Sequence, residues 1–186
     1  MRNEKGFTLT EVLVSFMLLG ILMASVTMVL SAFTRVYTRM KAVTNMEMMA
    51  DTILEDLNHE IKTSRNTSLK PIVIQNGGKE LVYLDENDLE VTVYVKGQES
   101  KDTSGYNDYD KIGQGKVYYA YKMDAGYTCW ALSDNTYMDN VVKGIRFEKM
   151  DAYNPKNVLK VTIQLEHEPS GATFDEFRYI EYRFHD

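Results

Sequence analysis

The chain has 186 residues, 44% hydrophobic and 26% charged, with a net charge of −6, 13 Tyr, 3 Pro and one cysteine, Cys129. That length holds one domain plus a long appendage, and a composition rich in Tyr and poor in Pro suits strands better than a disordered tail. A lone cysteine excludes an internal disulfide and a cysteine metal cluster, and reads as a small buried strand residue.

The charge is uneven. Residues 1–65 hold 7 basic and 7 acidic groups, which leaves 14 basic and 20 acidic in residues 66–186. Nucleic-acid affinity comes largely from basic contacts, so a mildly acidic β-region argues against direct nucleic-acid binding.

The first element is an apolar run, VLVSFMLLGILMASVTMVL, residues 12–30, with no charged residue. As a helix it is roughly 28 Å long, and with Ala32 and Phe33 a segment 12–33 spans a bilayer. A secretory signal has an apolar region of only about 7–15 residues followed by a small-residue cleavage site, and neither feature fits. Beyond the span, apolar residues recur at Phe33, Tyr37, Met40, Val43, Met46, Ala50, Ile53, Leu57 and Ile61, with every gap three or four. This is the spacing of one helical face. No Pro or Gly interrupts residues 21–65, so the pattern predicts one helix from Phe7 to Ser64, on the order of 85 Å long. Glu47, Asp51, Glu55, Asp56, Glu60 and Lys62 fall on or near its polar side, and the apolar stripe is expected to pack on a sheet.

Asn66-Thr67-Ser68, Lys70 and Pro71 end the helix, and strands follow. IVIQ (72–75) and ELVYL (80–84) flank Asn76-Gly77-Gly78, a hairpin signal. LEVTVYV (89–95) alternates. KVYYAYK (116–122) and YTCWAL (127–132) flank a second hairpin, and VVKGIRFEKM (141–150), VLKVTIQLEH (158–167) and FRYIEYRF (177–184) complete the set. Residues 97–115 are polar, contain Gly and lack periodicity, so they read as a surface loop. The expected fold is α+β: a long N-terminal helix, its first half membrane-spanning, packed on an antiparallel β-sheet domain. The domains are residues 1–6, 7–65 and 66–186.

Catalytic and metal signatures fail. His59-Glu60 starts an HExxH pattern, but position 63 is Thr. Asp102, Asn107, Asp108 and Asp110 gather oxygen ligands in one loop, yet an EF-hand started at Asp108 would place Ile112 and Tyr119 at ligand positions. The glycines at 77, 78, 113 and 115 precede no helix of phosphate-cradling type, and no GxSxG occurs. No catalytic residue, metal site, cofactor or enzymatic activity is expected. Tyr118, Tyr119, Tyr121 and Tyr127 are candidates for one aromatic face on the sheet.

One short stretch carries more. Lys5-Gly6-Phe7-Thr8-Leu9-Thr10-Glu11-Val12 resembles the N-terminal signature of type IV prepilins and type II secretion pseudopilins, with Thr10 where the family usually has an apolar residue. The resemblance implies a leader, MRNEKG, cut between Gly6 and Phe7 by a membrane prepilin peptidase, with N-methylation of Phe7 by the same enzyme. It also implies a task for Glu11. The resemblance implies that this glutamate faces the N-terminal amine of a neighbouring subunit in the filament. An isolated carboxylate in a low dielectric is disfavoured, and a close cation restores its ionised form.

More loosely, the order of helix, hairpins and C-terminal strands looks like the J-type minor pseudopilins and the related W-type minor pilins. Val141, Val142, Gly144 and Ile145 stand near that family's turn into a strand. The implied function is a minor structural subunit that initiates or caps a type IV pilus-like or type II secretion filament, serving pilus assembly, protein secretion or competence. Its partners would be the prepilin peptidase/methyltransferase, other subunits through the N-terminal helix, and inner-membrane platform proteins. It would sit single-pass in the cytoplasmic membrane with the β domain outside. Arg35, Arg39 and Lys41 follow the span and outnumber the leader's Arg2 and Lys5, so the charge bias alone does not give that orientation. The alternative is a membrane-anchored extracytoplasmic binding module that keeps its leader.

Overall fold

The computed structural model describes residues 8–99, 101–150 and 157–185. It divides into two compact units, Met1–Lys41 and Ala42–Asp186.

Helix α1 runs Leu9–Thr63. Within the first unit every described residue, from Thr8 to Lys41, is exposed. From Ala42 onward the helix buries a stripe: Ala42, Met46, Met49, Ala50, Ile53, Leu54, Leu57 and Ile61. The stripe is wider than the anticipated row, because Met49 and Leu54 are also buried, and Phe33, Tyr37 and Met40 do not share it.

The helix ends where buried polar groups take over its last carbonyls. Ser64 Oγ donates to Ile61 O at 2.6 Å, Asn66 Nδ2 to Ser64 Oγ at 2.6 Å, and Leu84 N to Asn66 Oδ1 at 3.0 Å. This satisfies orphan groups at the terminus and ties it to the end of a strand.

The strands are β1 Val73–Gln75, β2 Glu80–Leu84, β3 Glu90–Val95, β4 Val117–Met123, β5 Gly126–Ala131, β6 Asn140–Lys149, β7 Val158–His167 and β8 Ala172–Glu181. All pair antiparallel, in two sheets rather than one: β1-β2-β3-β4-β5 and β6-β7-β8. Both predicted hairpins form. The break between sheets follows α2, Asp134–Tyr137, an element the periodicity does not announce. Met138 and Asp139 after it adopt positive φ (44° and 64°), and β6 starts a new sheet instead of pairing with β5. A bulge between Val142 and Gly144 lies in the Val-Val-x-Gly-Ile stretch of β6.

The inner faces of both sheets close on α1 in one core that includes Leu81, Val93, Tyr119, Phe147, Val161, Ile163 and Ile180. Apolar burial of this kind is the main stabilising term. Polar contacts then orient the helix on the sheets. Tyr119 Oη donates to Asp56 Oδ2 at 2.5 Å and Tyr83 Oη to Glu60 Oε2 at 3.1 Å. From the other sheet, Arg178 on β8 donates to Glu55 at 2.6 Å and Asp51 at 2.9 Å. Four acids of the expected polar side are thus anchoring groups.

Two further expectations are corrected. The four tyrosines do not share a face: Tyr119 pairs with Trp130 and points at α1, while Tyr118 pairs with Ala131 on the opposite side. A period of two puts residues 118 and 119 on opposite faces by necessity. The segment after β3 is also more than a solvated loop. Tyr106, Tyr109 and Ile112 pack with Tyr94, Tyr118, Tyr127 and Cys129 as a second, small core on the outer face of the five-stranded sheet. Buried Lys96 pins it, donating to Tyr109 O at 2.9 Å and Ile112 O at 2.5 Å. Asn107 bridges to Thr128 and shields the edge of β5.

Candidate functional site

The site anticipated from the sequence is the head of α1. Gly6 and Phe7, the cleavage and methylation positions, lie outside the described residues. Glu11 is described, in the first turn.

Glu11 is not solvated at random. Its Oε2 accepts from Thr8 N and from Thr8 Oγ1, both at 2.9 Å. Glu11 N in turn lies 3.4 Å from Thr8 Oγ1. This is a capping box: the N-cap hydroxyl and the N3 carboxylate reciprocally satisfy donors that the first helical turn leaves open. The carboxylate also carries favourable charge at the positive end of the helix dipole. Both bonds use one oxygen, and among the described residues Oε1 accepts no hydrogen bond. Thr8 is therefore the residue whose role sequence reading passed over, although Thr8-Leu9-Thr10-Glu11 spells the capping-box pattern.

Past Glu11 the helix disposes of its own polar side chains. Ser15, Ser25, Thr27, Thr34 and Thr38 each donate to the carbonyl four residues back, at 2.8–2.9 Å. These hydroxyls then ask nothing of a surrounding apolar medium. What remains outside is apolar: Phe16, Leu18, Ile21, Met28 and Phe33 are all more than 60% exposed. A water-soluble monomer does not display a continuous apolar surface on this scale. Leu9–Thr63 is long and apolar enough to cross a membrane.

Nothing comparable assembles around the acids of residues 102–110. Asp102 accepts from Ser104 N and Oγ, and Asp108 pairs with Lys111 at 2.5 Å. Among the described residues no three His, Cys, Asp or Glu side chains converge as a metal set would.

Neither the curated proteins nor the solved structures include a match to the chain. Residues 1–27 match the family model described as the prokaryotic N-terminal methylation motif. With this motif leading into an exposed apolar helix that a β domain grips only from Ala42 onward, the chain carries the signature of the type IV pilins and pseudopilins.

Proposed function

We propose that the chain is a minor pilin or pseudopilin, a structural subunit that helps initiate or cap a filament raised from the cytoplasmic membrane. The observation that carries this reading is the methylation motif leading into an apolar helical stretch whose described residues up to Lys41 are all exposed. Cleavage after Gly6 and methylation of Phe7 would create a cationic chain end. The span would hold the subunit in the bilayer, with the β domain on the extracytoplasmic side, until assembly exchanges lipid contact for helix–helix contact. Lipid tails are as apolar as leucine, so burial alone does not select a neighbour. Selection would fall to packing and to Glu11, whose Oε1 remains to accept the amine of another subunit while Oε2 stays on Thr8.

The test is the mass of the chain from membranes and from sheared filaments, with Glu11→Ala alongside. The expected species begins with a methylated Phe7 in both fractions, and the variant is processed yet depleted from filaments. A chain that keeps Met1 and never enters a filament would overturn the reading in favour of a membrane-anchored binding module. Normal assembly of Glu11→Ala would remove the role given to that carboxylate.

A further inference from the structure

The chain is acidic overall, yet one groove on the β unit reverses the sign. About 580 Å³ of open space lies where the turn after β1 approaches β6 and β7. Lys79, Lys143, Arg146 and Lys160 line it, and Glu148 is the one acid among the lining residues. Two of the cations are loosely held. Arg146 Nε and Lys160 Nζ share Glu148 at 3.6 and 3.9 Å, and Lys143 reaches Glu166 at 3.2 Å. Lys79 has no ion-pair partner among the described residues. Gly77 and Gly144 line the groove, and a Cβ on neighbouring Gly78 would crowd Phe147 O at 3.1 Å.

The groove continues onto an aromatic surface. Cross-strand partners share a face, and the register aligns Glu148, Lys160 and Tyr179 in one row and Arg146, Thr162 and Phe177 in the next. Phe177 and Tyr179 are 52% and 55% exposed and pack edge to face at 5.6 Å. Lys160 Nζ lies 5.2 Å from the Phe177 ring. Exposed aromatics beside an arginine are the residue types that concentrate binding energy at protein interfaces, and a cationic rim orients an acidic partner.

We propose that this groove, with the adjoining Phe177 and Tyr179, docks a carboxylate-bearing segment of a neighbouring filament subunit. The groove's cations outnumber the acids they meet, so an incoming carboxylate completes the long pairs of Arg146 and Lys160 and reaches Lys79 while the 3.2 Å Lys143–Glu166 pair stays in place. The adjoining rings offer apolar contact that a free inorganic anion would not use. The inference rests on the filament reading above.

The experiment uses the full chain in its own membrane. A photo-crosslinking residue replaces Phe177, and separately Lys79, Arg146 and Lys160 are changed together to Glu. Crosslinks are expected to map to an acidic segment of another subunit and to weaken as salt rises. The triple reversal should lower filament incorporation by about tenfold, with the corresponding Gln triple intermediate. If the triple variant fails to accumulate, Lys79→Glu alone, which removes no ion pair among the described residues, should still lower incorporation measurably. Crosslinks confined to lipid or to a non-protein polymer, crosslinks to a subunit segment without acids, or undiminished incorporation of the reversed variants would overturn the proposal. A chain that retains residues 1–6 and stays out of filaments fails the filament reading instead, so the two failures are distinct.

Discussion

Replacing Tyr119 by Phe deletes one oxygen and leaves the packing almost intact. The ring is 1% exposed and lies 5.5 Å from Trp130, so both apolar contacts survive the change. What disappears is the hydrogen bond to Asp56 Oδ2, at 2.5 Å the shorter of the two tyrosine bonds that join α1 to the five-stranded sheet. A hydrogen bond to a charged group contributes about 1.5–3 kcal/mol net. Asp56 is only half-buried and water can replace the phenol, which places the loss at the lower end, about 1.5 kcal/mol. At roughly 2–4 °C per kcal/mol for a domain of this size, Tm should fall by about 3–6 °C. The assay is thermal unfolding of the full chain in detergent, followed by near-ultraviolet circular dichroism of the Tyr119–Trp130 pair. Asp56→Asn and the double variant close the cycle. A Tyr119→Phe loss of about 0.3 kcal/mol or less, or single-variant losses that simply add, would refute the idea that this bond anchors the helix.

Burial is the largest influence on Glu60 and pushes its carboxyl above the usual range, partly offset by the Tyr83 hydrogen bond. A raised folded value means that the native state keeps a proton the unfolded chain has lost. The contribution of Glu60 to stability is therefore full below about pH 4.5 and is lost as pH rises through the folded value. Glu60→Gln should gain on the parent as pH rises from about 4 to 7, read from urea midpoints, and a pH-independent difference would contradict this. Burial, helped by the charges of Asp108 and Glu99, lifts the Cys129 thiol to about 11. An aromatic disulfide reagent at about pH 8 should then modify the chain only on unfolding, and fast labelling of the native protein would disprove the second core over β5. Leu57→Ala, at a fully buried position, should cost about 2–5 kcal/mol. Leu22→Ala, on the exposed stretch, should leave unfolding of the β unit within about 0.5 kcal/mol. Comparable losses at both sites would mean that the two segments are not separate packing environments.

Elements that depend only on near neighbours in the chain are legible in the sequence. The uncharged run of residues 12–30, the three-and-four spacing beyond it and the absence of Gly and Pro from residues 21–65 predict α1 almost to its ends. Alternation likewise marks β3 and β7, because the period of side chains along a strand is a local property. The head of α1 is written locally too: Thr8 and Glu11 stand three apart at a helix start, where a capping box is a matter of reach within a single turn.

Periodicity says which residues share a side, but it carries no information about what lies opposite that side. Only tertiary structure decided that the eight strands of the described residues divide into two sheets, because Met138 and Asp139 turn the chain away from β5. Only tertiary structure set Asp56 and Glu60 against tyrosines and Asp51 and Glu55 against Arg178, partners that stand 23 to 127 residues away. The polar stretch after β3 contributes to a second core for the same reason: its tyrosines have no local period, and strands that the chain reaches earlier and later half-bury them. Local rules act over a few residues, whereas the choice among distant partners is made by the packing of the whole unit at once.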